Sequence, residues 1–113
     1  MTEVRICGAG YFVPDRVVTN DRLALAVPGW TAERIALKTG IEERRFLWDF
    51  DDTTGKAIVP SEQMSPRTNT DMCEIATRRA LDSAGIGAGD LDAILVVTVS
   101  PDELNFCHDA ILL

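Results

Sequence analysis

Basic charge is scarce in this chain: 11 lysines and arginines stand against 18 aspartates and glutamates in 113 residues, a formal net charge of −7. Nucleic-acid binders carry a basic patch or stripe, and the lack of one sets that class aside. The same acidity disfavours anionic membranes. It also repels an acidic carrier protein except at a local basic patch such as the one near Arg44 and Arg45. Long apolar runs are missing too. No stretch approaches the roughly 18 apolar residues of a membrane span, and Met1-Thr-Glu-Val-Arg5 has no apolar signal core. Cysteine is sparse: Cys7, Cys73 and Cys107 are far apart, odd in number and never spaced C-x-x-C. That argues against a disulfide framework and against a zinc site, and it fits a reducing cytoplasm. There is no internal repeat and no low-complexity tract.

What is present is the composition of one ordinary globular domain, 46% hydrophobic and 26% charged. The most informative stretch is Leu91-Asp-Ala-Ile-Leu-Val-Val-Thr-Val-Ser100. From Ala93 to Val99 it is apolar except for Thr98, without alternation, and Asp90 and Pro101 bracket it. Such a run reads as a strand buried on both faces, as in a sheet covered by helices; a buried helix segment is the competing reading, for which the run is short. In α/β proteins the chemistry gathers at the C-terminal edge of such strands, which here means Pro101 onward.

The rest of the chain alternates short elements. Val4 to Pro14 opens as a strand that breaks at Gly8 and Gly10, glycines that permit a sharp turn or close backbone approach. A dinucleotide fingerprint would need a third glycine where Val13 stands, and no long amphipathic helix follows. Thr19-Asn20 offers an N-cap for a short helix, Asp21 to Ala26, ended by Pro28-Gly29. Thr31 caps a second helix, Ala32 to about Lys38, with Gly40 as a left-handed C-cap. Trp30 and Ile35 stand where a hydrophobic staple would place them, so Trp30 has a packing reading beside a ligand-stacking one. Glu42 to Trp48 reads as a strand or extended edge.

Residues 49–69 read as a long surface loop or flap inserted between these elements. Asp49, Asp51 and Asp52 invite a calcium reading, but Thr54 and Pro60 occupy the positions where that loop needs glycine and glutamate; a solvated acidic turn is the expectation. The clearest helix begins at Asp71, with Glu74 as capping-box partner. Met72, Ile75, Ala76, Ala80, Leu81 and Ala84 make its apolar face, and alanines at spacing four allow a close neighbour. Gly85-Ile86 fits a Schellman ending. A further helix is expected from Phe106 to Leu113. Cys107, His108 and Asp109 line up a nucleophile, a base and an acid, yet adjacent residues diverge by about 100° on a helix and do not face one another. These residues give no complete catalytic site and no metal constellation.

Taken in order, Gly8-Ala-Gly10-Tyr-Phe-Val-Pro14, Val18-Thr-Asn20, Lys38-Thr-Gly-Ile-Glu-Glu-Arg44, the helix at 71–84, Asp90-Leu-Asp92-Ala-Ile94 and Val97-Thr98 resemble the N-terminal third of β-ketoacyl-acyl carrier protein synthase III enzymes. The resemblance implies the α/β thiolase-like fold, with mixed five-stranded sheets covered by helices, of which residues 1–113 make an incomplete N-terminal portion of the first half. It implies a cytoplasmic homodimer acting with acyl carrier protein in fatty acid or polyketide biosynthesis, with no nucleic acid and no membrane as partner. The reaction it implies is decarboxylative Claisen condensation of acyl and malonyl or β-ketoacyl thioesters. No cofactor is required, coenzyme A or phosphopantetheine thioesters being substrates. A cysteine nucleophile activated by a helix dipole and a basic neighbour, with an oxyanion hole, is the physical core of that chemistry. In such enzymes the nucleophile lies beyond residue 113, so this chain holds no catalytic residue and is expected to be inactive without the remainder of the enzyme. The apolar Ala110-Ile-Leu-Leu113 ending fits a chain that continues.

The substrate-binding residues carried over are peripheral. The family's adenine-stacking tryptophan aligns with Arg34 and its following arginine with Lys38, while Trp30 lies one helical turn earlier and can substitute. Thr39 matches the family's threonine. Leu104-Asn105-Phe106 corresponds to the loop reaching into the partner's acyl pocket, which makes Asn105 and Phe106 candidates. Two alternatives stand beside condensation: the same fold transferring an acyl group to a hydroxyl or amine, and a non-catalytic interaction module.

Overall fold

The structure, a computed structural model, describes residues 3–102. It is α/β, and the described residues fall into two compact units: Val13–Arg67, and the segments on either side of it in the sequence.

In the Val13–Arg67 unit, β1 (Arg16–Thr19) pairs antiparallel with β2 (Glu43–Phe46), with Val18 opposite Arg44 and Thr19 opposite Glu43. The β2 strand lies inside the expected extended stretch; β1 does not follow from the sequence, because Arg16-Val-Val-Thr19 is too short to show a period. Helix α1 (Asn20–Ala26) starts where β1 ends, capped by Thr19, one residue ahead of the expected Asp21. Helix α2 (Ala32–Thr39) matches expectation at both ends. The Thr31 hydroxyl accepts from the Arg34 amide at 3.2 Å, and Gly40, at φ 68°, donates its amide to the Ala36 carbonyl at 2.8 Å. Val18 and Ile35 are the buried apolar residues among those described.

The flap expected over 49–69 is partly regular. β3 (Asp49–Phe50) pairs with β4 (Ala57–Ile58) as an antiparallel hairpin. The acidic turn between them satisfies itself: Asp51 Oδ1 accepts from the Thr53 amide at 3.0 Å, the Thr54 amide at 2.7 Å and the Thr54 hydroxyl at 2.8 Å. This is an Asx-turn built on Asp51.

In the other unit, helix α3 (Asn69–Ala84) begins ahead of the expected Asp71. Thr68 is the cap, and Asp71 is its capping-box partner: Thr68 Oγ1 accepts from the Asp71 amide at 3.1 Å, and Asp71 Oδ2 accepts from the Thr68 amide at 3.0 Å. Glu74, freed from that role, pairs with Arg78 one turn on. The Schellman ending is present: Gly85 at φ 71° bonds to the Asp82 carbonyl and Ile86 to the Leu81 carbonyl, both at 3.2 Å. A short 3-10 turn covers Ala88–Asp90.

The alanine row of α3 meets the two glycines of the opening segment. A Cβ on Gly8 would stand 2.7 Å from the Ala84 amide nitrogen and 2.8 Å from its Cβ; one on Gly10 would stand 2.5 Å from the Ala80 nitrogen. Both partners of the contact must therefore be small, as their spacing implied. Asp102 ties the far end of the unit to the start of α3, accepting from the Asn69 amide at 2.9 Å, the Thr70 amide at 2.7 Å and the Thr70 hydroxyl at 2.6 Å.

The Ala93–Val99 run differs from expectation in its surroundings. It forms no ladder among the described residues, and Leu95 and Val97 are 90% and 88% exposed. A strand covered on both faces needs a layer on each side, and this unit's described residues include one long helix. The described strands likewise make two separate two-stranded ladders, not a complete five-stranded sheet. No helix among them is long and apolar enough to cross a membrane. Substituting Gly10→Ala is expected to destabilise the protein by about 1–3 kcal/mol through overpacking against the α3 backbone. The midpoint of urea unfolding checks this, and an unchanged midpoint would contradict the close approach.

Candidate functional site

Four of the six candidate residues sit on or beside helix α2. Arg34 and Lys38, four residues apart, share one face of the helix, and Trp30, which precedes the Thr31 cap, joins that stripe through its contact with Arg34. All three are exposed, Trp30 at 36%. Trp30 is anchored through its amide, which donates to the Val27 carbonyl at 3.2 Å. The Arg34 guanidinium lies over the indole, 4.6 Å from the ring centroid, and its Nη1 donates to the Gly29 carbonyl at 3.1 Å. One indole face is thus covered by a cation. Glu33 is held below the usual carboxylate range by its own backbone amide and by the Thr31 hydroxyl, so it remains an anion beside this stripe.

Thr39 has a local role. Its hydroxyl donates to the Ile35 carbonyl at 2.7 Å and accepts from the Ile41 amide at 3.1 Å, leaving one lone pair for anything else. The chemistry on offer is an aromatic surface with two cations within one helical face, a set suited to a heteroaromatic ring and attached phosphates. Asn105 and Phe106, with Cys107, His108, Asp109 and the expected helix 106–113, lie outside the described residues.

Two further residues shape this unit and were not singled out by sequence reasoning. Asn20, 5% exposed, donates through Nδ2 to the Ile41 carbonyl at 2.7 Å and accepts at Oδ1 from Arg44 Nη1 at 2.9 Å. Arg22 fastens the β3–β4 hairpin to α1: its Nη2 is 3.0 Å from Asp49 Oδ1, 2.7 Å from Asp52 Oδ1 and 3.0 Å from the Phe50 carbonyl. Arg16 also pairs with Asp49. Gly55, at φ 65° and buried, touches the α1 backbone so closely that a Cβ would stand 2.5 Å from the Ala26 nitrogen. Arg45 donates to the Asp15 carbonyl at 2.7 Å. The available signal for Asn20 was its place after a cap threonine; for Arg22 there was none, since its partners lie nearly thirty residues away.

No family model matches the chain. Individual relatives do. A β-ketoacyl-[acyl-carrier-protein] synthase III of Geobacillus kaustophilus is 40% identical over 98 residues, 87% of this chain and 26% of that protein. The protein of the same name from Rhodopirellula baltica is 35% identical over 108 residues, 93% of this chain and 26% of its own length. The chain therefore spans about a quarter of the length of these relatives. Among solved structures, the 3-oxoacyl-[acyl-carrier-protein] synthase III of Aquifex aeolicus is 31% identical, covers 72% of this chain and 20% of its own, and has a TM-score of 0.47.

The β3–β4 hairpin should respond to acid. The Phe50 amide holds the Asp49 carboxyl below its ordinary value of 3.8, with burial opposing it and the charges of Arg16 and Arg22 each adding a smaller lowering effect. A depressed folded value means that Asp49 contributes stability at neutral pH, and that the contribution is lost as pH falls from the ordinary value through the depressed one. Following the Phe50 amide resonance in an NMR pH titration should give a midpoint below 3.8. Asp49→Asn should remove the transition, whereas a midpoint at or above the ordinary value would contradict the pairing.

Proposed function

Starting from a chain that is β-ketoacyl-[acyl-carrier-protein] synthase III-like over most of its length, we propose that it is the N-terminal portion of a thiolase-like condensing enzyme. The enzyme joins an acyl group to a malonyl or β-ketoacyl thioester in fatty acid or polyketide biosynthesis. The observation that carries this reading is the 35–40% identity to synthase III proteins across 87–93% of the chain. The exposed apolar residues Val4, Ile6, Leu95, Val97 and Val99 support it, because surfaces of that kind are covered in a finished protein.

In this reading the acyl group passes from its thioester to a cysteine of the remaining chain, releasing the first thiol. Loss of CO2 from the malonyl thioester then generates the carbanion that attacks the acyl-cysteine carbonyl. The new carbon–carbon bond forms as the cysteine thiolate leaves, giving a β-ketoacyl thioester and CO2. The described residues supply binding to this sequence of steps. The α2 stripe takes the thioester handle: Trp30 stacks on a heteroaromatic ring, Arg34 backs it, and Lys38 meets phosphate. Thr39 braces the helix end and offers one acceptor. By the resemblance, Asn105 and Phe106 serve the acyl pocket of the partner subunit. The enzyme is a cytoplasmic homodimer that takes acyl carrier protein as a partner and needs no cofactor beyond its thioester substrates.

The test is an assay of the full-length enzyme with acyl-coenzyme A or acyl-carrier donors and a malonyl-carrier acceptor, scoring the β-ketoacyl product and CO2. Trp30→Ala should raise the donor KM roughly tenfold, the scale of a lost base–aromatic stack, with little change in kcat. Product without CO2 release, with the acyl group on a hydroxyl or amine, would replace condensation by simple acyl transfer. No turnover of any thioester would remove the enzymatic reading.

A further inference from the structure

We propose that Asn20 is a positioning residue for thioester donor binding, acting through the turn that follows helix α2. This rests on the reading of the α2 stripe given above. Asn20 opens helix α1, far from the stripe in sequence, yet all its partners outside α1 lie in one short segment. Its amide donates to the Glu42 carbonyl at 3.2 Å, its Nδ2 to the Ile41 carbonyl at 2.7 Å, and its Oδ1 accepts from Arg44 Nη1 at 2.9 Å. The segment Ile41–Arg44 runs directly out of the Gly40 cap into β2.

The connection to the stripe is continuous. The Ile41 amide donates to the Thr39 hydroxyl, which donates to the Ile35 carbonyl, and Gly40 closes on Ala36. Asn20 therefore holds both ends of the Ile41–Arg44 segment while that segment holds the last turn of α2, where Lys38 stands. The side chain has to be an amide. One atom must donate to a carbonyl and the other must accept from a guanidinium, a combination that aspartate and leucine lack. At 5% exposure the group has no ready access to water as a substitute, so losing one bond should shift the turn. Arg44 has Asn20 and no carboxylate as its side-chain partner among the described residues, so its orientation depends on this amide as well.

Asn20→Asp, Asn20→Leu and Arg44→Gln in the full-length enzyme test the assignment against Gly55→Ala, which strains the β3–β4 turn against Leu25 and Ala26 and so weakens the same unit away from Ile41–Arg44. Donor KM, kcat and the denaturation midpoint are measured for each. Asn20→Asp and Arg44→Gln are expected to raise donor KM about tenfold, with kcat within about twofold of the parent. Gly55→Ala should lower the midpoint and leave KM unchanged. If the Asn20 and Arg44 variants lower the midpoint as Gly55→Ala does, with donor KM unmoved, Asn20 is structural only and the proposal falls. Should Asn20→Leu not fold, the isosteric Asn20→Asp still decides. A parent enzyme that shows no saturation by any thioester donor would refute the functional reading itself, which is a different result from a KM indifferent to Asn20.

Discussion

Backbone-to-backbone contact between the opening segment and helix α3 is the constraint on which one unit rests. Gly8 and Gly10 face Ala76, Ala80 and Ala84 with no room for a Cβ, so two elements far apart in sequence meet at their main chains. The contact buries no large side chain, and so its strength comes from fit over a short distance. It fixes which face of α3 points inward. Arg79, next to Ala80, then reaches the Tyr11 carbonyl at 2.8 Å and lies 5.8 Å from the Phe12 ring. The Asp102 carboxylate closes the opposite end on the first amides of the same helix.

The Val13–Arg67 unit is held differently. With Val18 and Ile35 as its buried apolar residues, it depends on polar junctions of high directionality. Asn20 joins α1 to the α2–β2 turn, and Arg22 joins α1 to the hairpin. A small helix that serves two neighbours through side chains two residues apart makes them mutually dependent. Such networks specify one arrangement well, at the expense of tolerance to substitution.

Much of this was legible in the sequence because it rests on local rules. Thr31 and Gly40 bound α2 as their chemistry requires, and the Gly85-Ile86 ending formed as expected. The Gly8–Gly10 and alanine patterns announced a close contact before any partner was known. Capping was read one step off for α3, because Thr68-x-x-Asp71 is a capping box in which the aspartate is the second partner, not the first. The β1 strand and the β3–β4 hairpin were missed since both are shorter than any periodicity can show. Trp30, Arg34 and Lys38 became candidates through the family resemblance, whereas the laying of Arg34 over the indole and the bracing role of Thr39 are tertiary facts. Asn20 was readable as a helix start and not as a hub, because its partners are set by the fold.

The unpaired Ala93–Val99 segment has a consequence for how such a protein is made. It is uncharged, rich in β-branched residues and free of proline, the composition that assembles most readily into intermolecular cross-β ladders. Its Leu95, Val97 and Val99 side chains are exposed, with none of the described residues over them. Until they are covered, whether on a ribosome, after proteolysis or in an expression host, the chain carries an adhesive edge. Chaperone supply and concentration then decide its fate as much as its own stability does.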